Sequence, residues 1–533
     1  MRTRKLWMSL VFVMLAALVI APVGYACTII GAGNQAMADG STVVTHNDDS
    51  SIADYRLWII PEADWGPDAE RDLIVDSHNY TGGIKVGTIP QVEHTYRYFR
   101  SRYSFINEKG VAMGESTFSY TRSTEKEIAI YNTLVRNSEG VIDCWYAQDI
   151  ALERASTARE AVEIMGALVE KYGWDGSGET MNITDGKEVW IAEFYGQDLW
   201  AAVRIPNDHV FVAANRARIG EINLQDTANF MASPNIFSFA IEQGWYDPAS
   251  NKPFYLYENY GPCVANGCYL REWAAYNVLA PSLGIKDDAT DANGNMYRYP
   301  FSVKPDNKLT VADIFDLKGN YYQNTPYTRQ TETLAAGPFG DIYYTGGYRA
   351  INVPQTCYLM IAQIKSWLPE EIRSLVWYGY GAPQTSYLTP LWPSMEKLPV
   401  FYQKGTRYET FQRDAGWWVS TFVQEMTRLN FKSAIVDLNA VRQPHMNSLY
   451  TIVPEIQNAA ARLYITNKQS AIDLLSQFAY KTAVSAFEMW TELGDFLLGK
   501  YALGYSAGNT ANYPTWYRDL VGYTAGPKTA PTL

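Results

Sequence analysis

The first 26 residues constrain the fold most, because they have the make-up of a segment that a folded protein does not keep. Arg2, Arg4 and Lys5 give a positive start, Leu6 to Ile20 an apolar run, and Gly24-Tyr25-Ala26 puts small residues at −3 and −1 of a signal-peptidase site. Cleavage after Ala26 leaves 507 of the 533 residues, beginning Cys27-Thr28-Ile29-Ile30-Gly31. A thiol and a free α-amine then share one residue. Their ordinary pKa values, roughly 8.5 and roughly 8, make them a nucleophile and a base that need no distant histidine. Two other fates are open to Cys27: a lipid anchor, which normally asks for an aliphatic residue where Gly24 stands, and one half of a disulfide.

The leader carries three positive charges and no acidic residue, so its removal takes the net charge from −12 to −15. So acidic a chain is poorly suited to nucleic acid or to anionic membrane surfaces. No second apolar run reaches the roughly 18 residues of a membrane span. The expectation is an exported protein, periplasmic or secreted. Five cysteines, Cys27, Cys144, Cys263, Cys268 and Cys357, leave at least one without an internal partner. Cys263 and Cys268 share a Gly/Pro/Asn loop and could close a small bridge or hold a metal. With only five histidines and no cluster of them, no metal site and no cofactor is expected.

Along the chain, Ser41–Thr45 and Arg56–Ile60 are β-rich. Tyr103 to Thr117 reads as two strands about Asn107-Glu108-Lys109-Gly110. Asn182 to Phe194 reads as a hairpin turned at Asp185-Gly186, and Leu199 to Ala214 as another turned at Pro206-Asn207-Asp208. Thr157-Ala158-Arg159-Glu160 is a capping box, followed by Val162, Met165, Leu168 and Val169 at helical spacing and a stop at Gly173. Residues 224–345 read as loops and short elements. Within them Asp287–Asn295 has a calcium-loop look, but the register that puts Gly294 at position six puts Pro300 at position twelve, so a solvated turn is expected. Tyr408–Leu429 and Ser448–Tyr501 have helical periodicity, with Pro454 marking a start or bend.

Cys27 is followed by the turn Asp39-Gly40 and then by Thr45-His46-Asn47-Asp48-Asp49, so residues 28–33 and 41–47 should pair. That hairpin returns Asn47, Asp48 and Asp49 toward the new N-terminus, where a carboxylate would orient the amine. The pattern Cys-Thr, then Asp39-Gly40-Ser41, then a strand ending Asn47-Asp48-Asp49, resembles the cysteine dipeptidase family of the N-terminal-nucleophile hydrolases, the dipeptidase A and secernin family. This family is distantly similar to penicillin V acylase and bile salt hydrolase. The similarity continues in Asn107–Ser116, Asp149–Ala161, Glu188–Glu193, Ala214-Asn215-Arg216, Tyr322–Tyr327 and Trp377–Pro383, in the family's order, over about residues 27–505.

The resemblance implies an α+β fold, an αββα sandwich with a helical C-terminal part, over residues 27–505, with a surface tail at 506–533. It implies hydrolysis of dipeptides through a Cys27 acyl-enzyme, with Asp49 as partner of the amine and Asn215 as an oxyanion donor. His46 stands where relatives carry Arg, so a supporting charge beside the thiolate depends on pH here. Glu115 stands where many relatives carry Asn and is the candidate contact for a substrate ammonium, with Arg349 a second substrate contact. The other functions weighed are an acylase for non-peptide amides and an exported binding lipoprotein. The oligomeric state is left open. If the leader is cut as its small residues indicate, intact-mass or N-terminal analysis of the exported protein will find an unmodified Cys27 first; a diacylglycerol adduct would favour the binding lipoprotein.

Overall fold

The computed structural model describes residues 27–50, 55–75, 83–287, 299–328, 335–343, 348–502 and 513–522. The leader-like segment 1–26, most of Asp287–Asn295 and most of the tail beyond 505 lie outside these residues. In chain order the first strands are β1 (Ile29–Ala32), β2 (Thr42–Asp48), β3 (Trp58–Ile60), β4 (Ala63–Asp64), β5 (Glu70–Val75), β6 (Ile84–Pro90), β7 (His94–Thr95), β8 (Tyr98–Arg100), β9 (Ile106–Asn107) and β10 (Ala112–Thr117). They are followed by β11 (Glu179–Thr184), β12 (Val189–Gly196), β13 (Leu199–Arg204), β14 (Val210–Ala213), β15 (Phe230–Ala232), β16 (Ser302–Val303), β17 (Tyr358–Ile364), β18 (Ser374–Tyr380) and β19 (Thr389–Leu391).

These build an α+β fold around two large antiparallel sheets. One runs β16-β14-β1-β2-β17-β18-β19 and the other β15-β13-β12-β11-β10-β9-β8-β3, with β4–β7 and β5–β6 as separate small pairs. The expected β1–β2 pairing is present, Gly31 opposite Val44, with Asp39 Oδ1 accepting from the Ser41 N–H and hydroxyl at the turn. Every residue of β2 is buried, although most are polar. Their partners are therefore inside the protein, since buried polar groups left unpaired cost about 1–3 kcal/mol each.

Asn182 on β11 reaches from one sheet to the other. Its Nδ2 donates to Ile30 O (2.8 Å) and Thr45 O (3.2 Å), while its Oδ1 accepts from the Gly114 N–H at 2.9 Å. Gly114 makes this approach possible: a Cβ there would lie 2.5 Å from Thr45 O and 2.9 Å from the His46 Cβ. Helices Cys144–Arg154 and Ala158–Tyr172 bury Ile150, Val162, Met165 and Val169 with Met181, Ile183 and Trp190 of the second sheet. Helices Asn266–Leu279, Val311–Lys318 and the C-terminal helices contact the first sheet.

Four expectations need correction. Residues 199–214 are not a hairpin: β13 belongs to one sheet and β14 to the other, where Val210 faces Ala32. The turn between them is captured by the loop after β1, whose Gln35 N–H donates to Asn207 O and Gly33 N–H to His209 O. The stretch 224–345 contains a full helix, Asn266–Leu279, whose periodicity is hidden because its buried residues lie all round it. Pro454 starts nothing. It lies, with Pro444, inside helix Phe431–Tyr464, which is held by burial of Leu438, Met446, Leu449 and Val453 despite the lost backbone bonds. The helix expected over Tyr408–Leu429 spans only Gly416–Arg428.

Gly114→Ala forces the sheets apart at the site. It is expected to lower stability by about 1–3 kcal/mol, the usual cost of overpacking, read as a lower denaturant midpoint at unchanged slope.

Candidate active site

Cys27 lies two residues before β1 and is buried, with its Sγ 3.0 Å from Glu115 Oε1 on the facing sheet. The same oxygen is 2.8 Å from His46 Nε2, and Glu115 Oε2 accepts from the Thr117 hydroxyl at 3.3 Å. His46 Nδ1 is 3.0 Å from the Tyr358 hydroxyl, which donates to the Tyr103 carbonyl at 3.2 Å. A carboxylate can only accept, so Nε2–H is the donor to Glu115. Burial pushes Glu115 up, but the His46 hydrogen bond and charge outweigh it and hold the carboxyl low, at about 2. Its neighbour Glu179, buried and repelled by Glu115, is pushed far up.

Burial, together with the charges of Glu115, Asp48 and Asp49, pushes the Cys27 thiol far above its ordinary range. The resting sulfur therefore keeps its proton, aimed at Glu115. Asp48, one residue pair along β2 from His46, is pushed up to about 7 by burial against the opposing charges of Arg102 and His46. Its Oδ2 is buried without a hydrogen-bond partner. Asp49 is fully engaged: Oδ1 accepts from Asn47 Nδ2 and the Thr356 hydroxyl, both at 2.7 Å, and Oδ2 accepts from Arg349 Nη2 at 2.8 Å. Burial raises its pKa against those partners.

Two cations that the sequence did not single out hold the start of the chain. Arg271, from helix Asn266–Leu279, donates to the Cys27 carbonyl (2.8 Å), Thr28 Oγ1 (2.9 Å), Ala214 O (3.2 Å) and Asn215 Oδ1 (2.7 Å). Lys318, at the end of helix Val311–Lys318, donates to Thr28 O and to Asn47 Oδ1. Asn215 follows β14 in the left-handed region, with φ of 60°, a conformation Asn tolerates better than most residues. Its backbone N–H donates to Ser116 Oγ and its Nδ2 to Thr117 O, both at 2.8 Å. Nδ2 carries a second hydrogen.

Of the six residues singled out from sequence, the structure joins Cys27, His46 and Glu115 in one chain of hydrogen bonds, and pairs Asp49 with Arg349 in another. Asn215 reaches Cys27 through Arg271 and through Ser116, whose hydroxyl lies 3.4 Å from the Cys27 carbonyl. All five cysteines are free, with Cys263 and Cys268 Sγ atoms 3.7 Å apart.

Comparison with known proteins now decides the family. The model of peptidase family C69 matches residues 26–443. The chain belongs to peptidase family C69. Its relatives include a probable dipeptidase of Salmonella dublin, 28% identical over 71% of this chain and 84% of the relative. A probable dipeptidase B of Lactococcus lactis is 26% identical over 88% and 94%, and a dipeptidase of Bifidobacterium longum is 24% identical over 84% and 85%. As a C69 member the chain is a peptidase.

A signal for Lys318 is present in the sequence. Thr310 and Asp313 cap a helix whose apolar stripe, Val311, Ile314 and Phe315, continues onto Lys318. A lysine there either reaches back to water or, if its ammonium is buried, needs a partner inside the protein. Arg271 offers only its place beside Leu270, Trp273 and Ala274.

Burial lowers Lys318 to about 7, against the favourable charge of Asp49. Between about pH 7 and the ordinary lysine range the unfolded state then binds a proton that the folded state lacks, so this group's contribution to stability rises with pH across that window. Wild-type stability relative to Lys318→Met is accordingly expected to climb from pH 7 toward pH 10, measured as the difference in denaturation free energy; a flat difference would place the lysine outside its buried setting.

Proposed function

We propose that this C69 peptidase is an exported cysteine dipeptidase with the αββα architecture of N-terminal-nucleophile hydrolases, and that Cys27, freed as the first residue, is its nucleophile. The observation that carries this reading is the Cys27 thiol seated on the Glu115–His46 pair, at the point where the family match begins. The relatives' names supply the substrate class, a dipeptide.

The chemistry divides the labour as follows. Glu115 accepts the S–H hydrogen bond but is held too acidic by His46 to keep the proton. An α-amine, with an ordinary pKa of roughly 8, is the far better base and sits on the same residue. The pair therefore aims the sulfur while the amine takes its proton as Sγ attacks the scissile carbonyl. The amine returns that proton to the departing amino acid, and water then releases the acyl group by the reverse sequence. The second Nδ2 hydrogen of Asn215 is suited to the oxyanion, a contact whose loss typically costs about 10²–10³ in rate. Asp49, with its oxygens on Asn47, Thr356 and Arg349, acts on the amine through its field and through Lys318.

The substrate's own ammonium needs a negative charge on the acyl side. Glu115 was the sequence candidate, but its charge is already countered by His46. Asp48 has a buried oxygen without a hydrogen-bond partner, and burial raises its pKa to about 7 in spite of Arg102, so a further cation at that oxygen would stabilise it. We assign the ammonium to Asp48, with Glu115 holding the nucleophile.

Turnover of unblocked and N-acetylated dipeptides tests this reading. Wild type should cleave unblocked dipeptides at least ~100-fold faster, Cys27→Ala should cleave neither, and Asp48→Asn should lose about 2–5 kcal/mol on unblocked substrates, as for other buried charge pairs. Equal wild-type turnover of blocked and unblocked substrates would reject the dipeptidase in favour of an amide acylase.

A further inference from the structure

The Cys27 thiol, the His46 imidazole and the Glu115 carboxylate differ in chemistry but converge on one point. Their ligand atoms all lie within 4.8 Å of one another, and all three residues are buried. Sulfur, imidazole nitrogen and carboxylate oxygen are the three donor types that Zn²⁺ accepts. We propose that Cys27 Sγ, His46 Nε2 and Glu115 Oε1 form a binding site for a thiophilic divalent cation of the Zn²⁺ type, which blocks the nucleophile reversibly.

Geometry favours it on three counts. In a tetrahedral site, bonds of about 2.0 Å to nitrogen and oxygen and about 2.3 Å to sulfur place neighbouring donors about 3.3–3.6 Å apart. The Sγ–Oε1 and Nε2–Oε1 separations are 3.0 and 2.8 Å. An opening of roughly half an ångström, within side-chain torsion alone, admits the ion. Second, the outer contacts that metal-ligating groups need are already made: His46 Nδ1 is tied to the Tyr358 hydroxyl, which turns Nε2 toward the site, and Glu115 Oε2 accepts from Thr117. Third, the charges match: as the S–H proton leaves to solvent and Nε2 gives up its hydrogen, the dication is met by the thiolate and the Glu115 carboxylate, so the filled site carries no net charge, and a fourth position is left for water.

The inference borrows from the proposed function only the access of solvent to Cys27, and its test reads metal rather than turnover. The metal-free full-length protein is titrated with Co²⁺ and followed by the near-ultraviolet thiolate-to-cobalt charge-transfer band, with Zn²⁺ then competing. One equivalent should bind. The band should vanish in Cys27→Ser, and affinity should fall 10-fold or more in His46→Gln and in Glu115→Gln, each checked for native circular dichroism. In wild type, one equivalent of Zn²⁺ should protect the Cys27 peptide from alkylation by iodoacetamide, and EDTA should restore labelling. Absence of the band in folded wild type, its survival in Cys27→Ser, or unprotected alkylation at saturating Zn²⁺ would overturn the site.

Discussion

A buried carboxylate must be answered by hydrogen-bond donors, and Glu115 sets that demand for the whole site. His46 supplies one N–H, Cys27 its thiol proton, and Thr117 a hydroxyl. Two of those donors are in turn fixed by something else: the imidazole by Tyr358 and Tyr103, the cysteine by Arg271 on its carbonyl. Removing one partner of such a set leaves the others buried and unpaired, which is far more destabilising than the set's net contribution. Burial, together with the charge of that carboxylate, keeps the resting thiol protonated, so the protein holds a shielded thiol instead of a standing thiolate.

Around this centre Arg271, Lys318 and Arg349 come from three separate segments to meet the chain start and Asp49. The crowding has measurable consequences: burial and the nearby Arg271 hold Arg349 at about 10, below the usual arginine range. Asn182 and Gly114 keep the two sheets close enough for residues on opposite layers to share hydrogen bonds. Packing and chemistry are therefore the same constraint at this point of the fold.

Much of the site's first layer was legible because it is local. The hairpin that returns His46 and Asp49 toward Cys27 follows from Asp39-Gly40 and two short β-rich runs, and it stands in the structure with the expected pairing. The helix capped at Thr157 likewise follows from its own residues. What the sequence hid is what depends on distant partners. Arg271 sits in a helix without a polar face, so periodicity gave no sign of it. β13 and β14 look like one hairpin because the turn between them is well formed, yet sheet membership is decided by the loop after β1. Glu115 was noticed as a departure from the family's usual Asn, but only its position across from His46 assigns it a partner.

The pairing of β2 has a consequence for how the protein comes to be active as it is made. β2 is flanked by β1 on one side and by β17 on the other, with Asp48 opposite Tyr358 and Thr42 opposite Ile364. Tyr358 also carries the hydroxyl that orients His46. Until synthesis has passed Ile364, one edge of β2 stays open and the imidazole has no second anchor, whatever the first hairpin has achieved. Closing so long a loop is slow compared with local folding. Cys27 is thus made well before Tyr358–Ile364, the strand that completes the surroundings of its site.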